Sequence, residues 1–127
     1  MPRVFKATEI EKEDKELKRD YLDRHMPHVF CQDEVRTGEL FRVKLKMGED
    51  YPHPDDPDHY ISHLQLWNRE TLLAETMYSS GAYGNKASNI EVDFYIIAPQ
   101  VSMNLSAMAV CTKHGLWQSE DKAVKVI

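Results

Sequence analysis

Residues Glu39 to Met47 read ELFRVKLKM, and their alternation decides the fold class. Phe41, Val43, Leu45 and Met47 are apolar, and Arg42, Lys44 and Lys46 between them are charged. Successive side chains on a strand point to opposite faces, so this is a strand with one face buried and one in water. Working outward, IEVDFYI repeats the period through Ile90, Val92, Phe94 and Ile96. Leu64 and Leu66 mark a third strand, which Asn68-Arg69 turns into a fourth, TLLAETMYS. SMNLSAMAVC is a further strand that runs into Cys111, and the segments near Val29 and Val124 are weaker strand candidates. Breakers fall between them: TG at 37–38, GEDYPHPDDPD at 48–58 and SSGAYGNKAS at 79–88. Several short strands at such intervals predict an all-β sandwich or barrel.

The N-terminal region differs. Thr8 to Asp20 is dense in Glu, Lys and Asp, with only Ile10 and Leu17 as apolar points. It reads as a short salt-bridged helix with Thr8 as N-cap, or as an irregular arm. The expected organisation is a charged arm over 1–22 and one β domain over 23–127.

A chain of 127 residues suffices for one core. Its net charge of −5 argues against nucleic acid as a partner. It also means that an anionic substrate would need a local positive patch. No apolar run reaches the length of a membrane span, and MPRVFKATEIEKEDKELKRD holds no signal-peptide core, so a cytoplasmic location is expected. The two cysteines, Cys31 and Cys111, are expected as thiols unless a metal claims them.

The six histidines are placed unevenly. His25 lies just before the first strand, His53 and His59 bracket PHPDDPDH, and His114 follows the last long strand in CTKHGLW. Loops and strand ends are where a β scaffold carries chemistry. Pro52 and Pro54 stiffen the backbone around His53, reducing the entropy lost when its ring is held. Cys111 and His114 stand a turn apart, close enough to reach one ion. Imidazole and thiolate together suit iron, copper or zinc and not magnesium or calcium. Taken singly, each histidine is an ordinary surface residue and Cys111 a small buried hydrophobe; the joint pattern points to a metal. His28 is expected to be exposed, and His63 to lie in the core or behind the ligands.

HMP at 25–27, PHP at 52–54, His59 before Tyr60-Ile61, and CTKHGLW at 111–117 together resemble the iron site of superoxide reductases, the desulfoferrodoxin/neelaredoxin family. The resemblance runs from about Asp23 to Trp117. It implies an immunoglobulin-like seven-stranded β-sandwich and one iron per chain, cycling between ferrous and ferric. It implies His25, His53, His59 and His114 as four ligands in a plane, with Cys111 as axial thiolate and the opposite position open. It further implies one-electron reduction of superoxide to hydrogen peroxide, a rubredoxin-like electron donor, and the one-iron class, often a homotetramer. The thiolate would favour release of peroxide over cleavage of its O–O bond. The Lys113 and His114 amides are candidate hydrogen-bond donors to the sulfur, and Leu116 and Trp117 candidate shields for it.

Three positions depart from the family. Its Glu-Lys-His reads here Asp23-Arg24-His25. The family glutamate closes the sixth position of ferric iron; Asp23 keeps the carboxylate but is one methylene shorter. The family lysine attracts superoxide and orders water; Arg24 keeps the charge but does not give up a proton. His63 stands where the family commonly has an aromatic residue, and Cys31 matches no ligand position. Three other readings compete. A cupredoxin-like electron carrier would need a methionine soon after His114, and none follows. A structural zinc module would leave one of five donors idle. A plain interaction sandwich leaves the spacings unexplained.

Overall fold

The computed structural model describes residues 19–127 in full and 4–6 as backbone strand. The expected charged helix falls mostly outside the described residues, Thr8 included. Its last two positions, Arg19 and Asp20, open a helix α1 (Arg19–His25) that crosses the expected boundary at 22/23. Asp20 in the first turn and Arg24 and His25 in the last suit the helix dipole. Pro27 disfavours a helical Met26, so α1 stops at the residue before it.

Ten strands are described: β1 (Val4–Lys6), β2 (Pro27–Phe30), β3 (Glu34–Val35), β4 (Leu40–Met47), β5 (Ile61–Asn68), β6 (Thr71–Met77), β7 (Glu91–Ile97), β8 (Met103–Cys111), β9 (Gly115–Gln118) and β10 (Lys122–Val126). Seven of them, β2, β4–β8 and β10, are the strands the sequence pattern predicts. The additions are the short β1, β3 and β9. The expected all-β sandwich forms. A three-stranded antiparallel sheet runs β2-β4-β7. A seven-stranded sheet is built on β8, which pairs with β5 along most of its length. β10 pairs with the beginning of β8 and β9 with its end. β6, β1 and β3 lie outside β5, β9 and β10.

The core lies between the sheets. Phe41, Val43, Leu45 and Met47 of β4 are buried, as are Leu64 and Leu66 of β5. From β8 come Met103, Leu105, Ala107, Ala109 and Cys111. Fully burying a Leu or Val stabilises by about 1.5–3 kcal/mol, so this face holds the register. The wet face of β4 carries Arg42 and Lys44, which pair with Asp93 and Glu91 on β7. Because core-facing positions on β8 are odd-numbered, Cys111 ends the strand with its side chain turned inward.

Candidate metal centre

Four segments converge at one end of the sandwich. His25 closes α1, one turn after Tyr21, and its Nδ1 donates to the Tyr21 carbonyl at 2.7 Å. His53 sits in the loop after β4, held by reciprocal backbone bonds with Ser88, N–H to O 3.0 Å and 2.9 Å. Its Nδ1 lies 2.7 Å from the Pro54 carbonyl. His59 pairs with Asp56 across a tight backbone bridge and precedes β5, which begins at Ile61 rather than at His59. Cys111 and His114 bracket a hairpin between β8 and β9. Cys111 pairs with Gly115, leaving Thr112, Lys113 and His114 as the loop. Gly115 has φ +82°, the left-handed position that such a three-residue hairpin needs. Thr112 ties this loop to the His59 segment through two bonds with Tyr60.

The ligand atoms of His25, His59, Cys111 and His114 all lie within 4.8 Å of one another. His25 Nε2 and His59 Nε2 stand 3.1 Å and 3.2 Å from His114 Nδ1, with Cys111 Sγ 3.8 Å from the same nitrogen. His53 closes the ring. Its centroid is 4.9 Å from His25 and 4.8 Å from His59, and His114 is 4.8 Å from each of the same two rings. Neighbouring rings meet edge to face, at 77–86°, while His25 and His59 across the ring are nearly parallel, at 19°. Four imidazole rings thus form a cycle; the ligand atoms of His25, His59 and His114 gather with the Cys111 sulfur, while His53 borders that group without joining it.

A family description, Desulfoferrodoxin, matches residues 11–120 of the chain. The chain belongs to the desulfoferrodoxin family. Among its relatives, a superoxide reductase of Thermococcus kodakarensis is 27% identical over 101 residues, 77% of this chain and 85% of the relative. The neelaredoxin of Megalodesulfovibrio gigas is 26% identical over 115 residues, 80% of this chain and 87% of the relative. The solved superoxide reductase (neelaredoxin) of Ignicoccus hospitalis superposes with TM-score 0.74 at 23% identity, covering 98% of this chain and 95% of that one.

The donor set fits a metal on physical grounds. An Nδ1–H bound to a carbonyl leaves the Nε2 of His25 and His53 as bare lone pairs. His53 Nε2 is buried and has no hydrogen-bond partner. His114 has one proton at most when neutral, so it cannot satisfy both nitrogens that face its Nδ1. A cation at the centre removes that conflict. Burial keeps the rings neutral, lowering His25 to about 4 and His53 to about 3, with the backbone bonds to Tyr21 and Pro54 opposing and the other rings assisting. His59 and His114 are lowered too, first by burial. Burial pushes the Cys111 thiol up, while the Lys113 and His114 amides pull it down; the His114 N–H lies 3.4 Å from the sulfur.

Trp117 is buried and stacks on His25, centroids 4.8 Å apart, while its Nε1 donates to the His114 carbonyl. Arg24 lies along α1, its Nε 3.0 Å from the Asp20 carbonyl, and its charge reaches His25. The Asp23 carboxylate accepts the amides of Glu49, Asp50 and Tyr51. His28 is half-buried, not exposed as expected, because β2 packs beside β4. His63 bonds Ser62 at 2.7 Å and faces Glu75 at 3.8 Å, an arrangement that the bulge between Ile61 and His63 permits. Cys31 is a half-buried free thiol.

Sequence reasoning missed three contributors. Asp55 is buried and accepts the Tyr83 and Asn85 amides at 3.0 Å each, bracing the histidine loop against 83–85. Tyr21 meets both His25 and His114 with its ring, at 4.7 Å and 5.2 Å. The Lys113 charge bears on His59, His114 and Cys111. Only the last had a visible signal, a cation inside the Cys-x-x-His step.

Proposed function

We propose that this chain is a superoxide reductase, converting superoxide to hydrogen peroxide at one iron held by His25, His53, His59, His114 and Cys111. The orphaned, buried Nε2 of His53 carries the reading. Without His53, the tight group of three histidines and one cysteine would satisfy four-coordinate zinc. His53 borders the rings of His25 and His59, and its unpartnered Nε2 offers a fifth donor, which favours a metal of higher coordination. Iron bound there would supply one electron per superoxide by passing from ferrous to ferric, and two protons complete the peroxide.

The protein's own groups do the rest. Four imidazoles and a sulfur exclude hard cations by their softness. Carbonyl bonds to His25 and His53 fix the tautomers that ligation needs. The amide bonds to Cys111 favour its thiolate. Arg24 and Lys113 provide the local positive charge that draws an anion to an acidic protein. Arg24 attracts and orders water rather than donating a proton. A rubredoxin-type one-electron donor, a homotetramer and a cytoplasmic location belong to the same reading. Among the described residues no helix is long and apolar enough to cross a membrane.

Purified protein, oxidised and analysed for metal, tests the reading. Iron with a blue ferric–thiolate absorption that shifts on adding a strong anionic ligand is expected. Copper, or colourless zinc protein, overturns it. Light scattering of the purified protein tests the four-copy assembly, for which a mass near four chains is expected.

A further inference from the structure

We infer that Asp23 is a positioning residue that fastens the helix bearing His25 to the loop bearing His53, and is not a ligand to the metal. The inference rests on the metal site proposed above. One Asp23 oxygen, Oδ2, accepts the amides of Glu49 at 3.1 Å, Asp50 at 3.0 Å and Tyr51 at 2.7 Å. The other, Oδ1, shares the Glu49 amide at 3.0 Å. Three consecutive backbone N–H groups turned on one carboxylate form an anion-binding nest, here filled by the protein itself. A carboxylate has about four acceptor positions, and these bonds occupy most of them.

The surroundings close the same joint. The Met26 carbonyl accepts the Gly48 amide at 2.9 Å. Gly48 has φ +67°, and a Cβ there would stand 2.9 Å from the Asp23 and Tyr51 carbonyl oxygens, so the backbones touch only because the residue is glycine. Arg19, at the start of α1, pairs with Asp50 and lies over the Tyr51 ring. Asn89 also holds the loop, donating to the Met47 and Tyr51 carbonyls. Asp23 stands two residues before His25, and Tyr51 two residues before His53. The clasp therefore sets the separation of two neighbouring ligands before any metal arrives. Aspartate suits this role because its short side chain keeps helix and loop close.

The test compares the full chain with Asp23→Asn and Asp23→Ala, metal-free and loaded with cobalt(II). Amide hydrogen exchange at residues 49–51 is expected to be slow in the metal-free wild type. It should become about tenfold faster in Asp23→Ala, the worth of one lost hydrogen bond. Cobalt release to a chelator, well below the unfolding temperature, is expected to quicken by about 10- to 100-fold in Asp23→Ala, with partial recovery in Asp23→Asn, which keeps one acceptor oxygen. The cobalt–thiolate absorption of Asp23→Asn should stay in place, since the donor set is unchanged. Unaltered exchange, unaltered cobalt release, or a displaced absorption in Asp23→Asn would each overturn the inference. If neither variant folds, through-hydrogen-bond couplings from the three amides to the Asp23 carboxyl carbon decide it in the wild type: their presence supports the clasp and their absence removes it. Protein that consumes no superoxide yet gives these responses loses the reaction and keeps the clasp. Active protein whose exchange and cobalt release ignore Asp23→Ala does the reverse.

Discussion

His53 combines full burial, a flanking proline on each side and an unpartnered Nε2. A neutral imidazole in that position is costly unless something accepts its lone pair. Its protonation is resisted by burial, which holds His25 near 4 and His53 near 3. The unfolded rings take up protons near pH 6.5, before the folded ones can. The metal-free protein should therefore lose stability as the pH falls below 6.5, with the loss levelling off below about 3. Thermal unfolding of metal-free protein between pH 7 and pH 4 measures this. His53→Gln should show a shallower decline than wild type; an equal slope would remove the assignment to His53. At the same scale, Arg24→Ala should slow superoxide consumption and flatten its dependence on salt. Because Arg24 is already engaged by Asp20, the double variant Arg24→Ala/Lys113→Ala should lose more than the single one. An unchanged rate and salt slope in both would end the steering role.

At the scale of elements, the site is built from connections rather than strands. The β8–β9 hairpin delivers Cys111 and His114 together because Gly115 accepts φ +82°. Nothing lies within 4 Å of a Cβ built there, so Gly115→Ala should cost backbone strain alone, about 1–2 kcal/mol. Gly48→Ala meets two carbonyl oxygens at 2.9 Å as well as a positive φ, and should cost more than Gly115→Ala. Chemical denaturation of the two variants ranks them, and the reverse order would refute the close approach of α1 to the loop. α1 itself is only seven residues long, too short to persist alone. It is held by Leu22, Met26 and Trp117 packing together and by its bonds to the 48–51 turn.

For the whole molecule, the main core and the site are separate in kind. The core cluster runs through β4, β5 and β8, and only Cys111 belongs to both it and the ligand set. The sandwich should therefore stay folded without metal, keeping its β-type circular dichroism and a cooperative unfolding transition. Metal at about a thousand times its dissociation constant should add ~4 kcal/mol by linkage. A metal-free chain that is unfolded would contradict this. Leu45→Ala, in the main core and fully buried, should cost about 2–5 kcal/mol in either state. What the sequence alone determined follows from local periodicity. Alternation at 41–47 and 90–96 marked the strands, because pleating sends alternate side chains to opposite faces. Spacing of His53, His59, Cys111 and His114 marked the site, because loops and strand ends present side chains to a common point. Tertiary structure alone decided which polar groups each ligand meets. The carboxylates of Asp23 and Asp55 read as surface charge in the sequence, yet each collects backbone amides from about thirty residues away. No local pattern encodes such a bond, since its acceptor and its donors come together only when β2, β4 and β7 pair in one sheet.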